Sequence, residues 1–527
     1  MVDVAMLRHR DVAARYMHKF TWKEISDPIY GYAYFNREIE EKIINSLILQ
    51  RLRYILQLQT AHLVYPGAVH TRFQHAVGVM HLAGLMVEDI ISKILVYYGK
   101  EYLEDYDPDS LIQAVRLAGL LHDAGHACFG HAFEEALLWG NNRVPVEVNN
   151  HEKIGYKIVE QLLEDKIRGF EDTYGLGHLY DILMSILGPN EPRDKILLIM
   201  RWLIKDSLYP ADILDFLRRD SYYTGTNEYG YIDYERLYKN TYPYFENNKP
   251  LLLLDRNTWG EFRAYLYAKA NMFEHVYYHS VNRAFDQLLK TILRKLDEQI
   301  DLTGRVIDLA RGNPYGYLAL TDVKIYDVML EKALSSNGEL SKLTYRLLIE
   351  RKPEWKRVGR EYILSSYQGP LAVKQILKLV FDKEYRRRIA DKIRETVYDS
   401  LKDKGVDESD VWIDVLDISP VPRSILMPGK TGGANLLTLH IGKKKDRQII
   451  KDRDVFLVEE GIPLMIIFRA YVRRGLHRLE YESIVTEKIR QTLNSELGIS
   501  IDEYKKIIKE IYSELSPEKY EEEKITV

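Results

Sequence analysis

The sequence predicts a mainly α-helical protein with a smaller α/β unit toward its C-terminal end, on three observations. Apolar residues recur at helical spacing through most of the first 330 residues, few segments before residue 400 alternate as strands do, and after Gly405 short β-branched runs between Pro, Gly and charged turns take over. Glu38 to Gln59 carries Ile39, Ile43, Leu47, Leu52 and Ile55 at helical spacing, and Leu111 to His122, Asp212 to Tyr223, Glu261 to Leu296 and Asp322 to Leu334 behave alike. Ala76 to Tyr98 is strongly apolar, but His81, Glu88, Asp89 and Lys93 interrupt it, so it reads as an amphipathic core helix and not a membrane span. The expected strands are Val411 to Ile418 (VWIDVLDI), Leu436 to Ile441 (LLTLHI) and Met465 to Tyr471 (MIIFRAY). The organisation expected is an N-terminal extension (1–20), a helical catalytic body (21–330), a helical basic bridge (331–404), a small α/β lobe (405–480) and a charged helical tail (481–527) ending in the acidic EKYEEEKITV.

Composition narrows the classes. A chain of 527 residues exceeds what one core organises, so several units are expected. A formal net charge of −4 gives no cationic field for nucleic acid or a membrane surface. The single cysteine, Cys128, excludes an intramolecular disulfide and suits a reducing cytoplasm. Residues 1–19 carry Arg, Asp and His with no apolar run, so no signal peptide is expected there. A soluble cytoplasmic protein is the expectation.

Eight of the 15 histidines (His62, His70, His75, His81, His122, His126, His131 and His151) fall within one stretch of the chain. Within it, LLHDAGHACFGH places His122 and Asp123 at the end of an apolar helix, with Gly125 letting the backbone turn at once. Imidazole beside carboxylate suits a divalent ion such as Mn, Fe, Ni, Zn or Mg. A lone His-Asp pair more often caps a helix, but His126, His131, Glu134, His151 and Glu152 follow closely and raise the metal and acid–base reading. Two further ligands are needed. His75, in TRFQHAVGV, and an aspartate of DILDFLRRD stand at helix starts; spacing alone leaves Asp212, Asp215 and Asp220 open.

The ordered set KEISDPIYG, QRLRYILQL, YPGAVHTRFQHAVGVMHLAG, LAGLLHDAGHACFGHAFE, HEKIG and DILDFLRRDSYYTG resembles the HD-domain phosphohydrolases, and within them the deoxynucleoside triphosphate triphosphohydrolases. The resemblance covers residues 22–290 and recurs at DVWIDVLDI and LVEEGIPLMIIFRAYVRR. It implies His75, His122, Asp123 and Asp212 as ligands of one divalent metal. It implies that His126, His131, Glu134 and His151 flank the scissile phosphate, with His131 as the acid and His126 orienting the phosphate or nucleophile. Arg72 is implied to meet the α-phosphate, Gln57 and Asp220 the sugar 3′-hydroxyl, Leu58 the sugar, and Phe216 the underside of the ribose. Tyr277 and His279 border the nucleotide sites of this family, and Asn45, Gln50 and Arg53 match its effector site. The implied reaction releases a deoxynucleoside and intact triphosphate, with a nucleotide as activator and a homodimer or homotetramer as the assembly.

The chain departs from the family at three places. Ile213 replaces a phosphate-contacting lysine, Phe216 a tyrosine, and Asn45 an aspartate that reads guanine. Ile213 keeps open an alternative, an HD hydrolase of another phosphoester such as a cyclic nucleotide, a signalling nucleotide or a monophosphate. A nucleic-acid-binding protein with a vestigial site is the reading from a different class. Four other features take bland readings. Residues 342–394, with Arg386, Arg387 and Arg388, alternate with Glu350, Glu354 and Glu384 and read as a solvated face. MPGKTGG (427–433) has Ser424 where a phosphate-cradling loop needs glycine, and reads as a turn. His275 and His279, at i and i+4, read as structural, and Cys128 as a buried inert thiol.

Overall fold

The computed structural model describes residues 16–246, 249–335, 338–420, 437–441, 447–450 and 464–498. Helices dominate, as expected, and the chain divides into two compact units, residues 1–354 with 419–462 and residues 355–418 with 463–527.

In the first unit the site is carried by seven helices: α1 (Arg72–Tyr97), α2 (Pro108–Leu121), α3 (His151–Tyr174), α4 (Ala211–Thr224), α5 (Trp259–Met272), α6 (Ser280–Ile300) and α7 (Asp322–Ser335). Each start has a local cause. Gln74 closes a capping box on Thr71 ahead of α1, and the Asp107 carboxylate accepts from the Asp109 and Ser110 amides ahead of α2, with Pro108 at the first turn. Helix α1 is buried along nearly its whole length against α2 and α4, which explains its apolar sequence. Among the described residues no helix is long and apolar enough to cross a membrane.

Several expectations change. Glu38 to Gln59 is not one helix but three short turns (Glu40–Ile44, Leu47–Gln50 and Arg51–Tyr54), because Ser46 takes extended backbone and Gln59 sits at φ +50. Glu261 to Leu296 is α5 and α6, separated by a π-helical turn at Phe273–Tyr277. His275 and His279 therefore do not share a helix face; His275 stacks on Tyr229 and His279 precedes α6. Tyr16 and Phe20, read as an extension, are buried, and the Tyr16 hydroxyl donates to Gln113 across 3.1 Å. Strands do occur before residue 400. The antiparallel pair β1 (Trp22–Asp27) and β2 (Gly31–Asn36) turns at Gly31, φ +75, and β3 (Thr241–Glu246) pairs antiparallel with β4 (Lys249–Asp255). The expected strand at 436–441 is β7 (Leu437–Ile441), but it joins this first unit, parallel to β4 with Leu253 opposite Leu437; β8 (Arg447–Ile450) follows antiparallel.

The second unit is a three-stranded antiparallel sheet of β5 (Trp355–Ser365), β9 (Met465–Arg473) and β6 (Val411–Ile418), with β9 central. The latter two strands match their sequence expectation. The stretch read as a helical bridge supplies β5 together with α8 (Pro370–Phe381) and α9 (Lys383–Leu401). Arg386 is tied down, donating to Asp417 at 2.9 Å and to the Val415 carbonyl at 2.5 Å, while Arg387 is exposed as a solvated face would be. Helix α10 (Tyr481–Leu497), read as a charged tail, buries Val485, Ile489 and Leu493. Its Glu482 and Thr486 accept the Gly359 and Arg360 amides at a bulge in β5. MPGKTGG and EKYEEEKITV lie outside the described residues.

Candidate metal centre and active-site cavity

Four side chains converge where the end of α2 meets the first turns of α1 and α4. The ligand atoms of His75, His122 and Asp123 lie within 4.8 Å of one another. Asp212 Oδ1 stands 3.0 Å from His75 Nε2 and 3.5 Å from His122 Nε2. The two imidazoles are anchored from behind. His75 Nδ1 is 2.7 Å from Asp215 Oδ2, and His122 Nδ1 is 2.8 Å from the Gly119 carbonyl. Both partners can only accept, so each ring carries its proton on Nδ1 and turns Nε2 inward. The two Nε2 atoms face each other at 3.3 Å beside two carboxylates. Facing lone pairs among carboxylates suit a cation, and the donor set fits a divalent ion.

Electrostatics agree with the geometry. Burial opposes charge on His75, but its hydrogen bonds to Asp212 and Asp215 prevail and push the ring up to about 10. His122 is raised against burial by Asp123 and Asp212. Asp123 and Asp212 sit below the usual carboxylate range: burial works against this, and the neighbouring imidazoles outweigh it, helped at Asp123 by the charge of Arg72. A proton and a metal ion compete for this nest, and both are answered by the same negative charge.

Asp215 is itself held. Arg219 grips both its oxygens at 2.9 Å and reaches Asp27 at 2.8 Å. Gly78 makes room for that pair, since a Cβ there would lie 2.1 Å from Asp215 Oδ1. Sequence reading did not single out Asp27 or Arg219, and spacing alone left Asp212, Asp215 and Asp220 open until the resemblance gave Asp212 as a ligand and Asp220 as a sugar contact. Their spacing along α4 was the available signal: Asp212 enters the cluster, Asp215 backs His75, and Asp220 meets His70 and Tyr277, each at 2.7 Å.

The second histidine group lies beside the first. His126 stacks on His151, centroids 3.8 Å apart, and His151 Nδ1 is 2.8 Å from Glu134 Oε1. His131, with 54% of its side chain exposed, is 3.6 Å from the same oxygen. Burial and then the charges of Arg72 and His151 hold His126 well below the usual imidazole range. His151 is raised: burial opposes charge, but the hydrogen bond to Glu134 wins. The loop carrying this group is clamped by Arg51, which donates to the Ala124 and His126 carbonyls at 3.2 and 2.8 Å. Gly125 admits the approach of α3, because a Cβ there would fall 2.0 Å from the His151 carbonyl. Cys128, within this loop, is fully buried, and burial raises its thiol well above the usual range.

Both groups open onto one cavity of about 470 Å³, lined also by Arg72, Gln57, Leu58, Phe216, Asp220 and Tyr277. Arg72 donates to Asp123 at 2.6 Å, and Gln57 Oε1 is buried with no partner among the described residues. A further cation went unnoticed in the sequence: Lys269 on α5 is buried, and desolvation pulls its ammonium down to about 8 against the charge of Asp212. Asn45, Gln50 and Arg53 do not reach the cavity. Asn45 and Arg53 are exposed, with Arg53 over the Phe73 ring and donating to Gln50 at 2.9 Å.

Comparison with known proteins places this geometry. Residues 72–176 match the HD domain. The bovine deoxynucleoside triphosphate triphosphohydrolase SAMHD1 is 27% identical over 378 residues, covering 65% of this chain and 61% of the bovine protein. The human protein of that name is 26% identical over 370 residues, 65% of this chain and 57% of its own. An uncharacterized protein of Bacillus subtilis, YwfO, is 28% identical over 279 residues, 53% of this chain and 57% of its own. The chain thus spans about three fifths of the length of these relatives. A phosphohydrolase structure from Bacteroides thetaiotaomicron shares the fold, with a TM-score of 0.58 and 21% identity over 86% of this chain and all of its own. Residues 72–176 are thus similar to an HD domain, and about two thirds of the chain is similar to deoxynucleoside triphosphate triphosphohydrolases.

Proposed function

We propose that the protein is a metal-dependent phosphohydrolase that cleaves a deoxynucleoside triphosphate to the deoxynucleoside and intact triphosphate. The observation that carries this reading is that one cavity joins the imidazole–carboxylate cluster to a wall of Gln57, Leu58, Phe216, Asp220 and Tyr277. His75, His122, Asp123 and Asp212 hold one divalent ion, which supplies positive charge against the phosphate oxygens when bound. Arg72 meets the α-phosphate. His126, kept neutral by burial, orients the phosphate or the attacking water. His131, at the rim of the cavity and within reach of Glu134, gives the proton to the departing 5′-oxygen. His151 and Glu134 hold that group in place. Gln57 and Asp220 receive the 3′-hydroxyl. An activating nucleotide at Asn45, Gln50 and Arg53, and assembly as a homodimer or homotetramer, belong to the same reading.

The test is product identification. The full chain is incubated with Mn²⁺ or Mg²⁺ and each dNTP, NTP and cyclic nucleotide. Intact triphosphate from dNTPs is the expected product; orthophosphate or pyrophosphate, or turnover confined to cyclic or monophosphate substrates, would replace this reading with another phosphoester.

A further inference from the structure

Within the nucleotide reading above, the same cavity carries information about the base. Arg72 supplies positive charge on the side of Asp123 and Asp212. Another wall is one face of α6, where Asn282 and Asp286 stand a turn apart and line the cavity with Arg283, beside Glu135, which accepts from Lys290 at 2.8 Å. Asn282 is only 3% exposed. Its Nδ2 donates to the Val276 carbonyl at 3.0 Å, and since that carbonyl can only accept, Oδ1 is fixed on the other side. Oδ1 is buried and has no partner among the described residues. Asp286 accepts the Thr60 hydroxyl on Oδ1 at 2.6 Å. Its carboxyl is raised by burial, with the charges of Arg283 and Lys290 acting against that rise and Glu135 adding to it.

In the proposed reading the phosphates meet Arg72 and the imidazole–carboxylate cluster. The Gln57–Asp220 pair accounts for the sugar in the proposed reading. What remains for Asn282 and Asp286 is the base, and an unpaired acceptor is matched by a base that donates. A buried acceptor left unpaired costs free energy, whereas an amino group satisfies it. We infer that Asn282 and Asp286 select nucleotides whose base edge carries an exocyclic amino group over those that present a carbonyl in its place.

The pair dCTP and dUTP tests this directly, because the two rings differ in offering an amino group or a carbonyl at C4. With the full chain and Mn²⁺, kcat/KM for dCTP is expected to exceed that for dUTP by about tenfold or more. Asp286→Asn, which brings a donor to the wall, is expected to shrink or invert the ratio, and Asn282→Ala to reduce it. Equal values in the unmodified protein, or a ratio that survives both substitutions, overturns the inference. If neither nucleotide is hydrolysed the proposed reaction fails, and the preference is then read from thermal shift: a larger shift with dCTP supports it, and equal shifts reject it.

Discussion

The two histidine groups lie side by side yet are built on opposite terms. In the metal cluster the outward nitrogen of both imidazoles is bonded, His75 to Asp215 and His122 to Gly119, and Asp215 is locked in turn by Arg219 and Asp27. In the neighbouring group His126 Nδ1 has no hydrogen-bond partner among the described residues, and His131 is largely exposed. Three rings there gather around one carboxylate, Glu134. Rings bonded on the outward edge hold position, whereas His131 stands open to solvent. The contrast fits the proposed reading, with a metal at the first group and proton transfer at the second.

The sharpest way to break that assignment is to remove a member of each and measure metal content beside turnover. Asp212→Ala should lower turnover by more than about a thousandfold and deplete the metal found by elemental analysis. Glu134→Gln should lower turnover by about a hundredfold or more with the metal content unchanged. Metal loss from Glu134→Gln would erase the distinction, since His131, Glu134 and His151 also lie close enough to hold an ion. Asp215→Asn should have a smaller effect, weakening metal affinity by roughly 10- to 100-fold in a chelator competition while saturating metal restores most of the turnover.

The imidazole–carboxylate cluster was more legible in the sequence than the rest. His122 and Asp123 announce themselves by adjacency at the end of an apolar helix, and the long periodic segments became α1, α2, α4 and α7 with small shifts at their ends. His75 and Asp212 needed the ordered resemblance, because a helix start with a polar residue is common. The support behind them was hidden: Arg219 in DILDFLRRD looks like any surface arginine until α4 is laid against α1, where it is fully buried. Lys269 was hidden for the same reason. Strand β5 (WKRVGREYILS) was read as part of a basic helical stretch, because its pairing with β9 is distant in sequence and the bulge between Val358 and Tyr362 breaks its alternation.

The smallest expected effect concerns how the second group is held in place. Asp322, at the start of α7, accepts the Leu56 amide at 2.9 Å and the Phe129 amide at 2.7 Å, and so ties the segment before Gln57 to the loop between His126 and His131. Burial pushes its carboxyl from 3.8 up to about 7, against the pull of those two amides and of Arg72 and Arg51. A folded-state value above the unfolded one means that the folded chain holds the proton longer. The stability tied to Asp322 is therefore complete below 3.8 and is lost as pH rises toward about 7. Asp322→Asn cannot ionise, so its thermal midpoint relative to the unmodified protein should climb steadily across that interval, whatever constant offset the lost amide bond imposes. A difference between the two proteins that stays flat with pH would mean that Asp322 ionises as an ordinary carboxylate. The loop bearing His126 and His131 would then be held by a fixed charge, as His75 is by Asp215, and the two groups would differ less in their support than in their free nitrogens.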